Sequence, residues 1–99
     1  MELLDEKMHL WIDSARFVKP KPGIYVLYDK TAQPIFIGSS DNLQKEFADM
    51  LDTNFNNDSC KQNTHSYQRQ FTDSPEDDKQ LLLEQCSEKM GSIPTCNAN

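Results

Sequence analysis

A chain of 99 residues with a formal net charge of −6 has room for one hydrophobic core, because independent domains seldom fall below roughly 50 residues. Only 36% of its residues are apolar, and Leu, Ile, Val and Phe together number 21, just above the composition of disorder, so the core is expected to be lean. Residues 1–38 balance five acids with five bases, whereas residues 39–99 carry eleven acids and five bases, a distribution that disfavours nucleic acid as a partner.

The first residues lack the basic start and apolar centre of a secretory signal, and no apolar run approaches the roughly 18 residues of a membrane span. Cys60, Cys86 and Cys96 form no Cys-x-x-Cys pair, which predicts reduced thiols and no zinc site. His9 and His65 stand too far apart for a ligand motif. The expectation is a cytoplasmic protein with no membrane association.

Leu4, Met8, Trp11 and Ala15 recur at helical spacing, so residues 3–17 are predicted to form an amphipathic helix, ended by Lys19-Pro20-Lys21-Pro22. Gly23–Tyr28 and Pro34–Ile37 are β-rich runs around the turn residues Asp29–Gln33, which predicts an antiparallel hairpin. Ser39-Ser40-Asp41-Asn42 offers caps for a second helix, with Leu43, Phe47, Met50 and Leu51 on its inner face. Residues 53–65, rich in Asn, Asp, Ser and Thr, lack any period and predict a mobile or functional loop. His65–Phe71 alternates Tyr67, Arg69 and Phe71 with polar residues and predicts a third strand with one aromatic face. Ser74-Pro75-Glu76-Asp77 marks a helix start, with Ser74 as cap and proline at the first position, and Gly91 marks its end.

Within this order sits Gly23-Ile24-Tyr25, then ten residues, then Phe36-Ile37-Gly38, and later Glu84 on a helix before Pro94-Thr95-Cys96-Asn97. The pattern resembles the GIY-YIG nuclease superfamily over residues 22–97, with residues 1–19 as an added N-terminal helical extension of one domain spanning 1–99. The resemblance implies an α/β (α+β) fold: a small three-stranded, mainly antiparallel sheet flanked by helices. It also implies that Tyr25 holds the position of the first motif's tyrosine, Glu84 that of the metal-binding glutamate and Asn97 that of the terminal asparagine. Were the domain active, its cofactor would be Mg²⁺ or Mn²⁺ at Glu84; otherwise it has none. The chemistry behind that constellation is a metal and a fixed guanidinium stabilising phosphate charge while a phenol helps the attacking water.

Three residues depart from the family pattern. Phe36 stands where the second motif carries tyrosine, Glu46 is the eighth residue after Gly38, where the family keeps its phosphate-binding arginine, and Met50 replaces a histidine or tyrosine one turn on. At roughly 4 Å and an effective dielectric near 20, a unit-charge pair is worth about 4 kcal/mol, so an acid in the arginine's place turns attraction into comparable repulsion. Lys45 points about 100° away from Glu46 on a helix and lacks the guanidinium fork. Arg16 and Arg69 are the remaining arginines that would have to substitute, and nothing in their spacing requires it.

Each position also has a purely structural explanation: Tyr25 and Phe36 as cross-strand packing, Glu84 as a solvated helical acid, Asn97 as a backbone-satisfying side chain, Ser39 as a helix cap. The expected function is therefore a divergent GIY-YIG-like domain, impaired in catalysis, acting as a binding or accessory module. The alternatives are an active metal-dependent endonuclease, and a protein-interaction domain using the N-terminal helix with Trp11 or the 53–65 loop.

Overall fold

The computed structural model describes residues 2–98, leaving Met1 and Asn99 outside the description. In chain order the elements are β1 (His9–Leu10), α1 (Trp11–Ser14), β2 (Gly23–Tyr28), β3 (Pro34–Ser40), α2 (Leu43–Thr53), β4 (Ser66–Phe71) and α3 (Pro75–Met90). Single 3-10 turns lie at Ala15–Phe17, Phe55–Asn57, Lys61–Asn63 and Thr95–Asn97. The strands make one antiparallel sheet in the order β1-β4-β2-β3. Among the described residues no helix is long and apolar enough to cross a membrane.

The hairpin forms as its sequence predicts, pairing Tyr25 with Gly38 and Leu27 with Phe36. All six residues of β2 are buried because the central strand is covered on both faces. Tyr25 and Leu27 join Trp11, Phe47, Phe55 and Tyr67 under α2, whereas Ile24, Val26 and Tyr28 join Leu4, Ile37, Leu82 and Cys86 under α3. Period-two alternation along one strand thus feeds two separate clusters.

The predicted helix over 3–17 does not form. Only Trp11–Ser14 is helical, followed by the turn at Ala15–Phe17, and His9–Leu10 add a fourth strand to the expected three by pairing with Tyr67 and Ser66. The cause lies in Gln68, a fully buried amide on β4. Its Nε2 donates to the Leu4 and Glu6 carbonyls at 2.8 and 2.7 Å, and its Oε1 accepts from the Leu4 N–H at 3.2 Å and from the Tyr28 hydroxyl. The Leu4 and Glu6 carbonyls, which a helix would pair internally, are held by one side chain instead. The stripe also splits: Leu4 belongs to the cluster beneath α3 and Trp11 to the cluster beneath α2, a division no single helix face can achieve.

The 53–65 segment is built rather than free. Asn54, Phe55, Asn56 and Asn57 all hold φ between 51° and 60°, left-handed backbone that asparagine tolerates better than most residues, and the Phe55 ring is thereby seated 5.1 Å from that of Trp11. Cys60 is not a free thiol: it is bonded to Cys96, with Cα atoms 5.7 Å apart, and Cys86 alone remains reduced. The reduced-thiol expectation fails because absence of a local Cys-x-x-Cys motif says nothing about cysteines 36 positions apart. Helix α3 begins at Pro75 and ends at a left-handed Gly91 as predicted, but the Ser74 hydroxyl makes no capping bond. Asn42, by contrast, caps α2 by accepting from the Lys45 N–H at 3.1 Å.

Candidate functional site

The hairpin register places Gly38 directly opposite Tyr25, and the tyrosine ring lies across the glycine. A Cβ at Gly38 would come within 2.4 Å of the Tyr25 hydroxyl oxygen, closer than any real contact, so this strand position must lack a side chain for the ring to lie there. Phe36, two residues back on β3, reaches the same face with its ring 6.0 Å from that of Tyr25, and Phe47 of α2 closes the other side edge-on at 5.2 Å.

Helix α2 lies over that face, and Glu46 receives the phenol: the Tyr25 hydroxyl donates to Glu46 Oε2 at 2.8 Å. Burial pushes the Tyr25 phenol well above its ordinary range, and the neighbouring Glu46 carboxylate raises it further through its charge and the hydrogen bond. At neutral pH this phenol is therefore a fixed proton donor to Glu46 rather than a source of phenolate.

Tyr25, Phe36, Glu46 and Met50 line one open cavity of about 380 Å³ together with Asp49 and Lys61. The Lys61 ammonium sits over the Phe36 ring, 4.0 Å from its centre. A second cavity, of about 600 Å³, shares Glu46 and Asp49 and adds Asp41, Glu76 and Lys45. The two cavities lie side by side along α2, and the one over Tyr25 is a groove between β3 and α2. The groove over Tyr25 is lined by the Glu46 and Asp49 carboxylates against Lys61, and the second cavity by Asp41, Glu46, Asp49 and Glu76 against Lys45.

Four of the six residues singled out from the sequence thus meet at one place. Asn97 stands beside it in a structural role, since its Oδ1 accepts from the Ile37 N–H at 2.8 Å and its Nδ2 donates to the Ile37 carbonyl at 2.9 Å. That amide imitates a neighbouring strand along the open edge of β3, and the Cys60–Cys96 bond ties its turn to the turn that carries Lys61. Glu84 is not brought in. It is solvent-exposed on α3, whose buried residues Leu82 and Cys86 pack beneath the sheet face opposite Tyr25, and it lines neither cavity.

Ser39 caps no helix; its hydroxyl donates to Glu76 Oε1 at 2.7 Å. Arg16 is exposed on the turn after α1, and Arg69 lies 3.9 Å from Glu6 and over the Phe71 ring, so neither supplies a guanidinium to the groove. His9 stacks on Tyr67, where burial and the nearby Arg69 and Lys7 lower its pKa. His65 contributes backbone bonds to Trp11 and Tyr28.

Glu84, the residue to which the family resemblance assigns a divalent metal, stands apart from Tyr25. Glu84 shares no cavity with Tyr25, and among the described residues no group of three or more His, Cys, Asp or Glu is arranged to hold a metal ion. Two groove residues escaped the sequence reading. Asp49 was accessible to it, lying one helical turn from Glu46 on the same face. Lys61 was less so: Asp58 Oδ1 accepts from the Cys60 and Lys61 N–H groups and builds the turn, but only the disulfide and the packing of Phe55 aim it at Phe36. The chain matches no known family model and no curated protein.

Proposed function

We propose that this chain is a divergent GIY-YIG-like domain that binds a partner through the groove over Tyr25 instead of hydrolysing phosphodiesters there. The observation that carries the reading is the Tyr25–Glu46 hydrogen bond: a carboxylate occupies the phosphate arginine's sequence position and engages the phenol that catalysis would need free. A phosphodiester entering the groove would meet the Glu46 and Asp49 carboxylates against the single Lys61 amine, a field that opposes its approach.

The experiment is a plasmid-nicking assay in millimolar Mg²⁺ or Mn²⁺, comparing the unaltered chain with Glu84→Ala. Equal, background-level nicking is the expected result. Metal-dependent nicking that Glu84→Ala abolishes would overturn the proposal. The endonuclease alternative draws on one feature, the Lys61 ammonium over Phe36, which would be the cation facing phosphate in place of the absent arginine. That alternative requires Lys61→Ala to abolish cleavage as well.

A further inference from the structure

We infer that the Cys60–Cys96 bond is a redox latch: a thiol attacks it at Cys60 from the cavity alongside, and its opening releases the C-terminal turn and uncovers the edge of β3 at Ile37. The latch is independent of what the groove over Tyr25 binds.

Strand β3 is outermost in the sheet, with β2 on one side only, so its outward N–H and C=O groups have no strand to pair with. At Ile37 both groups are taken by one side chain, the Asn97 amide, at 2.8 and 2.9 Å. Ile37 lies between Phe36 and Gly38, so this edge belongs to the strand wall of the groove.

The hold on Asn97 is chiefly covalent. Helix α3 ends at left-handed Gly91, and residues 92–98 then form a single 3-10 turn, Thr95–Asn97. Its own hydrogen bonds are internal, from the Asn97 N–H to the Pro94 carbonyl and from the Ala98 N–H to the Thr95 carbonyl. Pro94 and Cys96 are buried, and the Cys86 thiol, a weak donor, lies 3.5 Å from the Ser92 carbonyl. Against the conformational entropy of ordering the segment, the two bonds at Ile37 and two small buried side chains are a weak hold. The bond to Cys60 makes docking intramolecular and keeps the turn at its place.

The two sulfurs are not equivalent. Cys96 is 5% exposed within the cluster under α2, whereas Cys60 is partly exposed and lines a cavity of about 470 Å³ with Asn63, Thr64, His65 and Thr95. Exchange goes to the sulfur that a thiolate can reach, which is that of Cys60. The thiolate's electron pair forms a bond to Cys60 Sγ, the Cys60–Cys96 bond breaks, and its pair leaves on Cys96 Sγ, which takes a proton from water. A second thiolate then displaces Cys60 from the mixed disulfide. Two thiols are thereby oxidised to a disulfide and both cysteines are reduced.

The first test treats the full chain briefly with glutathione, traps freed thiols with iodoacetamide and maps the peptides by mass spectrometry. Glutathione on Cys60 with the alkyl group on Cys96 is expected; glutathione on Cys96 would overturn the inference. The second follows amide exchange by NMR, with and without dithiothreitol, at Ile37 and at Val26, which is fully buried on the central strand. Reduction should speed exchange at Ile37 at least about tenfold more than at Val26, and Ile37 should then exchange with little dependence on urea, the mark of local opening. Equal acceleration at both amides with equal urea dependence, or no change at Ile37, would show that the bond only staples the whole fold. Asn97→Ala with the bond intact should also speed Ile37 well beyond Val26, and an unchanged Ile37 in that variant would equally overturn the latch.

Discussion

At the scale of single residues, Tyr25 and Glu46 determine each other's chemistry. Tyr25 is 1% exposed, so its ionisation would place a phenolate in the core beside a carboxylate. Its folded pKa is raised above the ordinary 10.0, chiefly by burial, and burial likewise pushes Tyr28 up to about 12. Where a folded pKa is raised, the folded chain keeps a proton that the unfolded chain has released. The stabilisation is therefore fully present below pH 10 and is lost as pH rises through the folded pKa. Urea unfolding followed across the alkaline range should show stability falling from about pH 10 upward, and Tyr25→Phe should remove up to about 1.4 kcal/mol per pH unit of that slope. An unchanged slope in the variant would show that Tyr25 does not hold its proton in the folded chain. The identities at this site were readable from the spacing of Tyr25, Phe36, Gly38 and Glu46. The bond between Tyr25 and Glu46 was not, because spacing gives the helical face of Glu46 but not how far α2 settles onto the sheet.

Among the elements, those whose signals are local formed where the sequence places them. The hairpin, α2 with its Asn42 cap, and α3 between Pro75 and Gly91 each depend on contacts between near neighbours, while β4, marked by its alternation, pairs with the distant β1 and β2. The N-terminal segment failed because its apolar spacing competes with a distant partner: Gln68, 64 residues from Leu4, takes the Leu4 and Glu6 carbonyls that a helix would use. Gln68→Leu preserves bulk but leaves the Leu4 and Glu6 carbonyls without this donor. It should cost about 2–4 kcal/mol in chemical denaturation and speed amide exchange at Leu4, which loses its acceptor. Unchanged exchange there would mean that Gln68 does not hold the segment. The 53–65 segment shows the converse. Its asparagines look like disorder in composition, yet left-handed backbone at Asn54, Asn56 and Asn57 gives them a specific conformational use.

For the whole molecule, the Cys60–Cys96 bond closes the structure by joining the turn beside Phe36 to the turn whose Asn97 covers the β3 edge. It links positions 36 residues apart, and loop-closure entropy for such a span predicts a loss of about 3–4 kcal/mol when Cys96 is replaced by serine. Thermal unfolding of Cys96→Ser against the unaltered chain measures this, and the two should coincide when both are kept in reductant; a persistent difference would assign the effect to serine packing instead. By itself, the sequence determined where the hairpin and the two longer helices run and which residue types occupy the motif positions, whereas the single core it led us to expect is divided by the sheet into two clusters. The element positions follow from local propensity and periodicity. Only the tertiary structure decided the fourth strand, the disulfide, the separation of Glu84 from Tyr25, and the meeting of Glu46, Phe36 and Lys61 in one groove. Those depend on which distant groups satisfy each other's hydrogen bonds and on which sheet face each element covers, and no short window of sequence contains that information.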